Sequence, residues 1–148
     1  MRDKRKAVLF DVDGTLCDVS RIRHLVLGSA KDFHRFHEES VNCPPHAHVV
    51  AASLALPSDV ACIVITARKE RYRRLTSFWL ALHGVPSDEL HMRPDYDSRP
   101  DVDIKREILG SVRQRYQILH AWDDNPHVIQ MWEEEGIPVT VIPGWIDA

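Results

Sequence analysis

The stretch Ala7-Val8-Leu9-Phe10-Asp11-Val12-Asp13-Gly14-Thr15-Leu16 decides the fold of this chain. Its four leading apolar residues form a short continuous run between charged neighbours, the pattern of a strand buried on both faces of a parallel sheet. The Asp-x-Asp-Gly that follows places two carboxylates and a turn glycine at the strand's carboxyl end. Similar apolar runs recur at residues 61–66, 118–122 and 139–142, with a weaker one at 89–92.

Helical patterns separate these runs. Tyr72, Leu75, Phe78, Trp79 and Leu82 recur at helical spacing, and His83-Gly84 with Pro86 ends that segment. Ile104, Ile108 and Val112 mark another helix, with Asp101 after Pro100 as its candidate N-cap. Asn125-Pro126 opens the last helix, and Gly136 with Pro138 closes it. Strands alternating with helices predict an α/β fold: a Rossmann-like open parallel sheet, wound right-handedly, with helices on both faces. Residues 1–148 are expected to form one domain. Residues 31–40 and 46–56 read as two short helices broken at Pro44-Pro45, and residues 17–45 as a flap and small cap insertion.

Composition narrows the function. Apolar residues at 44% and charged residues at 28% exclude a disordered or fibrous chain. A net charge of −3, from 22 acidic and 19 basic residues, argues against a protein that coats duplex DNA. Three cysteines with no C-x-x-C fit a reducing compartment, and no apolar run is long enough to span a bilayer. The six residues before Ala7 are basic, but the apolar run behind them is too short for a signal peptide. A cytoplasmic protein with no membrane partner is the expectation.

In an open α/β sheet, ligands bind at the carboxyl ends of the strands. Asp11 and Asp13 end the first strand, Thr66 and Arg68 the second, and Asp123-Asp124 the fourth, while Lys105 lies in the helix after the third. Four carboxylates on one edge repel each other and call for a divalent cation. Hard oxygen donors from a few carboxylates, completed by water and substrate oxygens, favour Mg²⁺. Each residue alone reads as ordinary capping, but Asp-x-Asp-Gly-Thr arises by chance in roughly one of several hundred chains of this length.

The motif Asp11-Val12-Asp13-Gly14-Thr15-Leu16 resembles the nucleophile motif of the haloacid dehalogenase (HAD) superfamily of phosphotransferases, and Thr66, Lys105 and Asp123-Asp124 match its other three motifs in order. The resemblance implies that Asp11 attacks phosphorus to form an aspartyl-phosphate. Asp13 would protonate the leaving alcohol and later deprotonate water. Thr66 would hydrogen-bond a non-bridging oxygen, Lys105 and Mg²⁺ would offset phosphoryl charge, and Gly14 and Thr15 would lie against the phosphoryl group. Mg²⁺ would sit on Asp11, the backbone carbonyl of Asp13, and either Asp123 or Asp124.

The cap between the first two motifs is small, which suits a large substrate that covers the pocket itself. Thr66-Ala67-Arg68, Phe78-Trp79-Leu80 with His83-Gly84, Met92-Arg93, Asp95 with Arg99 and Asp101, and Val128-Ile129-Gln130-Met131-Trp132 before Gly136 together resemble the 3′-phosphatase domain of phage-type polynucleotide kinase/phosphatases. That likeness implies a nucleic acid end carrying a 3′-phosphate as substrate, DNA or RNA, and a separate kinase or ligase as a partner. Ala67 and Arg68, one of Arg21 or Arg23, and Asp101 would line the substrate site. Asp101 would hold Lys105 or an arginine, unless it is the helix N-cap. Ala67 stands where such domains often have Gly. No G-x-x-x-x-G-K-[ST] occurs, so a 5′-kinase is not expected here.

Other features read more plainly. Residues 68–74 hold five basic residues in seven, either tracking strand phosphates or forming a solvated helix face. Trp79 and Trp132 are expected in the core, Trp145 is unassigned, and Cys17 is expected to pack. His34, His37, Cys43, His46 and His48 are read as surface or packing residues rather than a zinc site, with His34 or His37 at the substrate mouth as an alternative. Two rival functions remain: a phosphatase of nucleotides or sugar phosphates, and a non-catalytic phospho-acceptor module.

Overall fold

The computed structural model describes residues 3–145; residues 1–2 and 146–148, the ends of the expected 1–148 domain, lie outside the described residues. Five strands form one parallel sheet: β1 (Arg5–Phe10), β2 (Val60–Lys69), β3 (Glu89–Arg93), β4 (Tyr116–Asp123) and β5 (Val139–Val141). Their order is β3-β2-β1-β4-β5, so the first apolar run is the central strand. Its alternation splits the core. Val8 and Phe10 join one cluster with Cys62 and Val64, while Ala7 and Leu9 join the other with Ala61, Ile63 and Ile65. A strand so enclosed has no solvated face, which is why its sequence is continuous rather than alternating.

Helices α2 (Ala47–Leu54) and α3 (Arg73–Leu82) cover the Phe10 face through Val49, Val50, Trp79 and Leu80. Helices α4 (Asp101–Val112) and α5 (Pro126–Glu134) cover the Leu9 face through Leu109, Val112, Val128, Met131 and Trp132. Both expected core tryptophans are buried. The open α/β architecture with helices on both faces is as read from sequence.

Three local readings need correction. In α3, Phe78 and Leu82 are exposed, and the buried face runs through Thr76, Trp79 and Leu80 instead. Asp101 is the first residue of α4 rather than its cap; Pro100 holds the cap position without a side-chain hydrogen bond. The helix expected at 31–40 is shorter: α1 (Phe33–Glu39) starts after Asp32, whose carboxylate accepts the Arg35 amide at 3.0 Å. Residues leaving β1 and returning to α2 meet at one neck, where Cys17 pairs with Pro45 and the Asp18 amide donates to the Pro44 carbonyl. Cys17, Cys43 and Cys62 are free and buried. Among the described residues, no helix is long and apolar enough to cross a membrane.

Candidate active site

The strand order brings the distant motifs together. β2 and β4 flank β1, with Phe10 level with Val64 on one side and Trp122 on the other. Asp11 therefore emerges between Thr66 and Asp123, and its amide donates to the Trp122 carbonyl at 3.0 Å. From edge strand β3 the chain must cross β2 and β1 to reach β4. Helix α4 makes that crossing and lays Lys105 over the carboxyl edge, at the point where the winding reverses.

Lys105 Nζ donates to Asp11 Oδ1 at 2.8 Å and to Asp123 Oδ2 at 2.9 Å. Thr15 Oγ1 donates to the other Asp11 oxygen at 3.0 Å. Burial disfavours the Lys105 charge, yet the two carboxylates outweigh it and keep the ammonium protonated. Burial, then the charges of Asp123 and Asp124, push the Asp11 carboxyl well above its ordinary range. Burial and Asp123 likewise push Asp124 up to about 6. Three carboxylates thus share two cations, Lys105 and Arg23, whose Nη2 lies 3.3 Å from Asp124 Oδ2. The cluster is short of positive charge.

Oxygens of Asp11, Asp123 and Asp124 lie within 4.8 Å of one another, and among the described residues these are the acid, histidine and cysteine side chains that converge in a group of three or more. An all-carboxylate donor set with unmet charge fits a hard divalent cation. The two adjacent aspartates are not equivalent. Asp123 Oδ1 accepts the amides of Asp124 and Asn125, and Oδ2 accepts Lys105 and Trp132 Nε1. Asp124 meets Arg23 at 3.3 Å, shares a hydrogen bond with Asp11 and leans over Gly14.

Asp13 takes another course. Arg68 grips both its oxygens, Nε to Oδ2 at 3.0 Å and Nη2 to Oδ1 at 2.5 Å, while Nη1 donates to Thr76. Burial alone would raise the Asp13 carboxyl; Arg68 overcomes that and holds it low. Of its expected partners Asp101 takes an arginine, not Lys105, and it does not cap the helix. It accepts Arg93 Nη2 at 2.6 Å, and Arg93 also donates to the carbonyls of Ala67, Asp97 and Arg99, fastening the 93–101 loop to β2.

A cleft of about 540 Å³ opens over these residues, lined by Asp11, Asp13, Arg23, Thr66, Ala67, Arg68, Asp101 and Lys105. Arg21 is not among its lining residues. Arg23 stands with its guanidinium 5.5 Å from the Trp145 ring centroid. The basic run divides: Arg68 points inward, Lys69 and Arg71 reach the cleft, and Arg73 turns back to Glu70 and the Leu90 carbonyl. The histidines scatter, His34 to the Tyr72 hydroxyl and His46 to the Thr15 carbonyl, while His37 lines the cleft. Reasoning from sequence missed Trp132 as a support for Asp123, because an indole on an apolar stripe looks like core alone. It also missed Arg93 as the loop's anchor and Phe33 as a cleft residue.

A candidate bifunctional polynucleotide kinase/RNA ligase of Autographa californica nuclear polyhedrosis virus is 26% identical over 137 residues, 90% of this chain but 18% of that protein. Two structures of a Pnkp1/Rnl/Hen1 complex, one described as an RNA repair complex, superimpose with TM-scores of 0.79 at 27% and 26% identity. They match 95% of this chain and 46% and 43% of theirs, so the chain spans under half the length of these relatives. A class C acid phosphatase from Bacillus anthracis with tungstate bound shares the fold at TM-score 0.68 and 16% identity, covering 96% of this chain and 68% of its own. The profile of the polynucleotide kinase PNKP phosphatase domain matches residues 5–143. A non-catalytic phospho-acceptor does not fit that match. The chain belongs to the family of polynucleotide kinase PNKP phosphatase domains, HAD-superfamily hydrolases of phosphomonoesters.

Proposed function

We propose that this chain removes the 3′-phosphate from nucleic acid ends through an aspartyl-phosphate on Asp11. The observation that carries this reading is the Asp11 carboxylate, fixed by Lys105 and Thr15 at the floor of an open cleft in a PNKP-type phosphatase fold. Residues 3–145 act as one catalytic domain within the proposed span 1–148, and residues 17–45 are its flap and small cap.

Asp11 attacks phosphorus in line, and the bond to the 3′-oxygen breaks as Asp13 gives that oxygen its proton. Arg68 favours the Asp13 carboxylate while it grips it. Turning the guanidinium to the substrate phosphate frees Asp13 to hold the proton. Lys105 and Thr66 meet charge on the non-bridging oxygens, with Arg23 at the cleft wall; Arg21 contributes from outside it. Water then attacks phosphorus, Asp13 takes its proton, and the Asp11 carboxylate is restored as inorganic phosphate leaves. Ala67 and the Gly14-Thr15 backbone leave room for the phosphoryl group, and Asp101 positions it indirectly through Arg93.

Asp11, the Asp13 carbonyl and Asp124 would hold Mg²⁺, with Asp123 committed to Lys105 and the turn amides. When bound, Mg²⁺ supplies Lewis-acid stabilisation of phosphoryl charge. The hydroxyl end left behind is what a ligase joins, so a kinase or ligase acting at the same break is the natural partner.

Two measurements check this. Phosphate release from 3′-phosphorylated oligonucleotides should exceed that from 5′-phosphorylated ones and from mononucleotides; efficient turnover of mononucleotides or sugar phosphates with inert 3′-ends sinks the proposal. The cation is tested by melting. At pH 7.5, Mg²⁺ at 100 times its Kd should add about 2.7 kcal/mol, raising Tm by roughly 5–10 °C. Without it, Asp124 binds its proton more tightly when folded, near pH 6 against ~3.9 unfolded. Stability should therefore rise as pH falls from 7.5 through 6, levelling off near pH 4. Asp124→Asn should remove the Mg²⁺ shift and reduce that pH-dependent gain, to which the raised Asp11 carboxyl also contributes. A metal shift that survives in this variant contradicts the ligand assignment.

A further inference from the structure

The phosphate accounts for one end of the cleft. A phosphoryl group fills little of about 540 Å³, which lies in the roughly 300–1,000 Å³ range of pockets that hold a whole small ligand. The other end is aromatic. Phe33 and His37, four residues apart on α1, face the same way and both line the cleft, with Phe36 and Tyr72 beside them. Phe33 is 55% exposed, an apolar ring left in solvent at the mouth of a polar site.

His37 is the reverse case. It is 9% exposed, and its Nδ1 is buried with no hydrogen-bond partner among the described residues. Its ring is set by Phe36, edge-on at 5.2 Å between centroids, and by Tyr72 at 4.6 Å. A buried polar nitrogen without a partner is costly and rare, and marks a place where another group belongs. The imidazole lies close enough to Asp13 and Arg68 to feel both charges, and burial holds it neutral, down to about 4. A neutral imidazole carries one donor and one acceptor, the complement of a hydroxyl. Lys69 also lines the cleft and makes no ion pair among the described residues, a cation available to a strand phosphate.

We propose that the α1 face bearing Phe33 and His37 seats the terminal nucleoside of the substrate strand, its base stacked on Phe33 and its sugar hydroxyl hydrogen-bonded to His37. The inference rests on the 3′-phosphatase reading. In that reading Asp13 meets the 3′-oxygen, a 2′-hydroxyl sits on the adjoining sugar carbon, and His37 is the polar cleft group near enough to Asp13 to feel its charge. Base stacking explains why an aromatic ring is left exposed, since any base has a π-face to cover it. The cap helix thereby reads that the phosphate sits on a nucleoside, and favours ribose ends over deoxyribose ends.

The test compares rates within each variant of the full chain, with Mg²⁺, on three 3′-phosphorylated strands and one control phosphomonoester. These are an oligoribonucleotide, an oligodeoxyribonucleotide, an oligodeoxyribonucleotide whose terminal nucleoside is abasic, and a simple alkyl phosphate. Phe33→Ala should lower the kcat/KM ratio of base-bearing over abasic ends by roughly 5- to 150-fold, through KM, and Phe33→Trp should restore it. His37→Ala should lower the ratio of ribose over deoxyribose ends by roughly fivefold. Because each ratio is taken on one protein, loss of folded enzyme cancels. Equal losses on every probe, or no loss on any, overturn the seat. A His37→Ala variant that keeps the wild-type ribose preference overturns the sugar contact. If the wild type cleaves the alkyl phosphate but no 3′-phosphorylated strand, the underlying 3′-phosphatase reading fails instead, before any variant is compared.

Discussion

Asp11→Asn should abolish phosphate release, by about 10⁴-fold or more, while the protein stays folded. The amide keeps the shape of the carboxylate: its oxygen can still accept from Lys105 and its NH2 can donate to Thr15 Oγ1, the groups now 2.8 Å and 3.0 Å from the two carboxylate oxygens. It offers no anionic oxygen to attack phosphorus. Removing this charge strands nothing, because Lys105 keeps Asp123 at 2.9 Å. The cluster also carries one fewer repulsive charge, and burial with Asp123 and Asp124 already disfavours ionised Asp11. Tm at neutral pH should therefore stay level or rise. Phosphate release by a well-folded Asp11→Asn protein, measured after removal of trace contaminating phosphatase, would falsify the nucleophile assignment. Loss of activity together with unfolding would show instead that Asp11 is a structural group.

Gly14→Ala should damage both stability and activity. Gly14 has φ +83°, a left-handed conformation that an L side chain adopts only at a cost. A Cβ placed there would lie 1.9 Å from Asp124 Oδ2, 2.6 Å from its Cγ and 2.9 Å from Arg23 Nη2. Those distances are far inside van der Waals contact, so the Asp124 carboxylate must move. Backbone strain alone is worth about 1–3 kcal/mol. With the displaced buried carboxylate, a fall in Tm of roughly 10 °C is expected. The remaining folded protein should bind Mg²⁺ more weakly, since the displaced group is the proposed ligand. A Gly14→Ala protein with wild-type melting and metal response would show that Asp124 does not depend on this close approach. From sequence, Gly14 reads as a turn residue near phosphate; in the structure it makes room for a carboxylate from the far end of the chain.

That difference recurs across the site. Asp11, Thr66, Lys105 and Asp123-Asp124 were legible because each sits at a strand end or on the following helix, and strand ends are marked by local hydrophobic runs. Local periodicity failed where the two faces of a helix are both mixed. In α3, Phe78 and Leu82 matched the apolar pattern yet are exposed, while Thr76 is buried because Arg68 needs its hydroxyl. Asp101 resembled an N-cap for the same reason: a carboxylate beside Pro100 has the right local setting, and nothing nearby in sequence announces Arg93 as its partner.

The order of residues along the chain by itself determined the parallel sheet, the carboxyl edge on which the acidic groups gather, and the resemblance to a phosphotransferase family. Burial on both sides of a strand and the turn after it are short-range properties, written in consecutive residues. Tertiary structure alone decided how the charges are shared. It gave Asp123 to Lys105, Trp132 and two amides, left Asp124 over Gly14 beside Arg23, and closed Arg68 on Asp13. These partners lie up to 101 positions apart in sequence. They meet because the winding reverses beside β1, and a few ångströms of placement in a buried site settle which partners each carboxylate keeps.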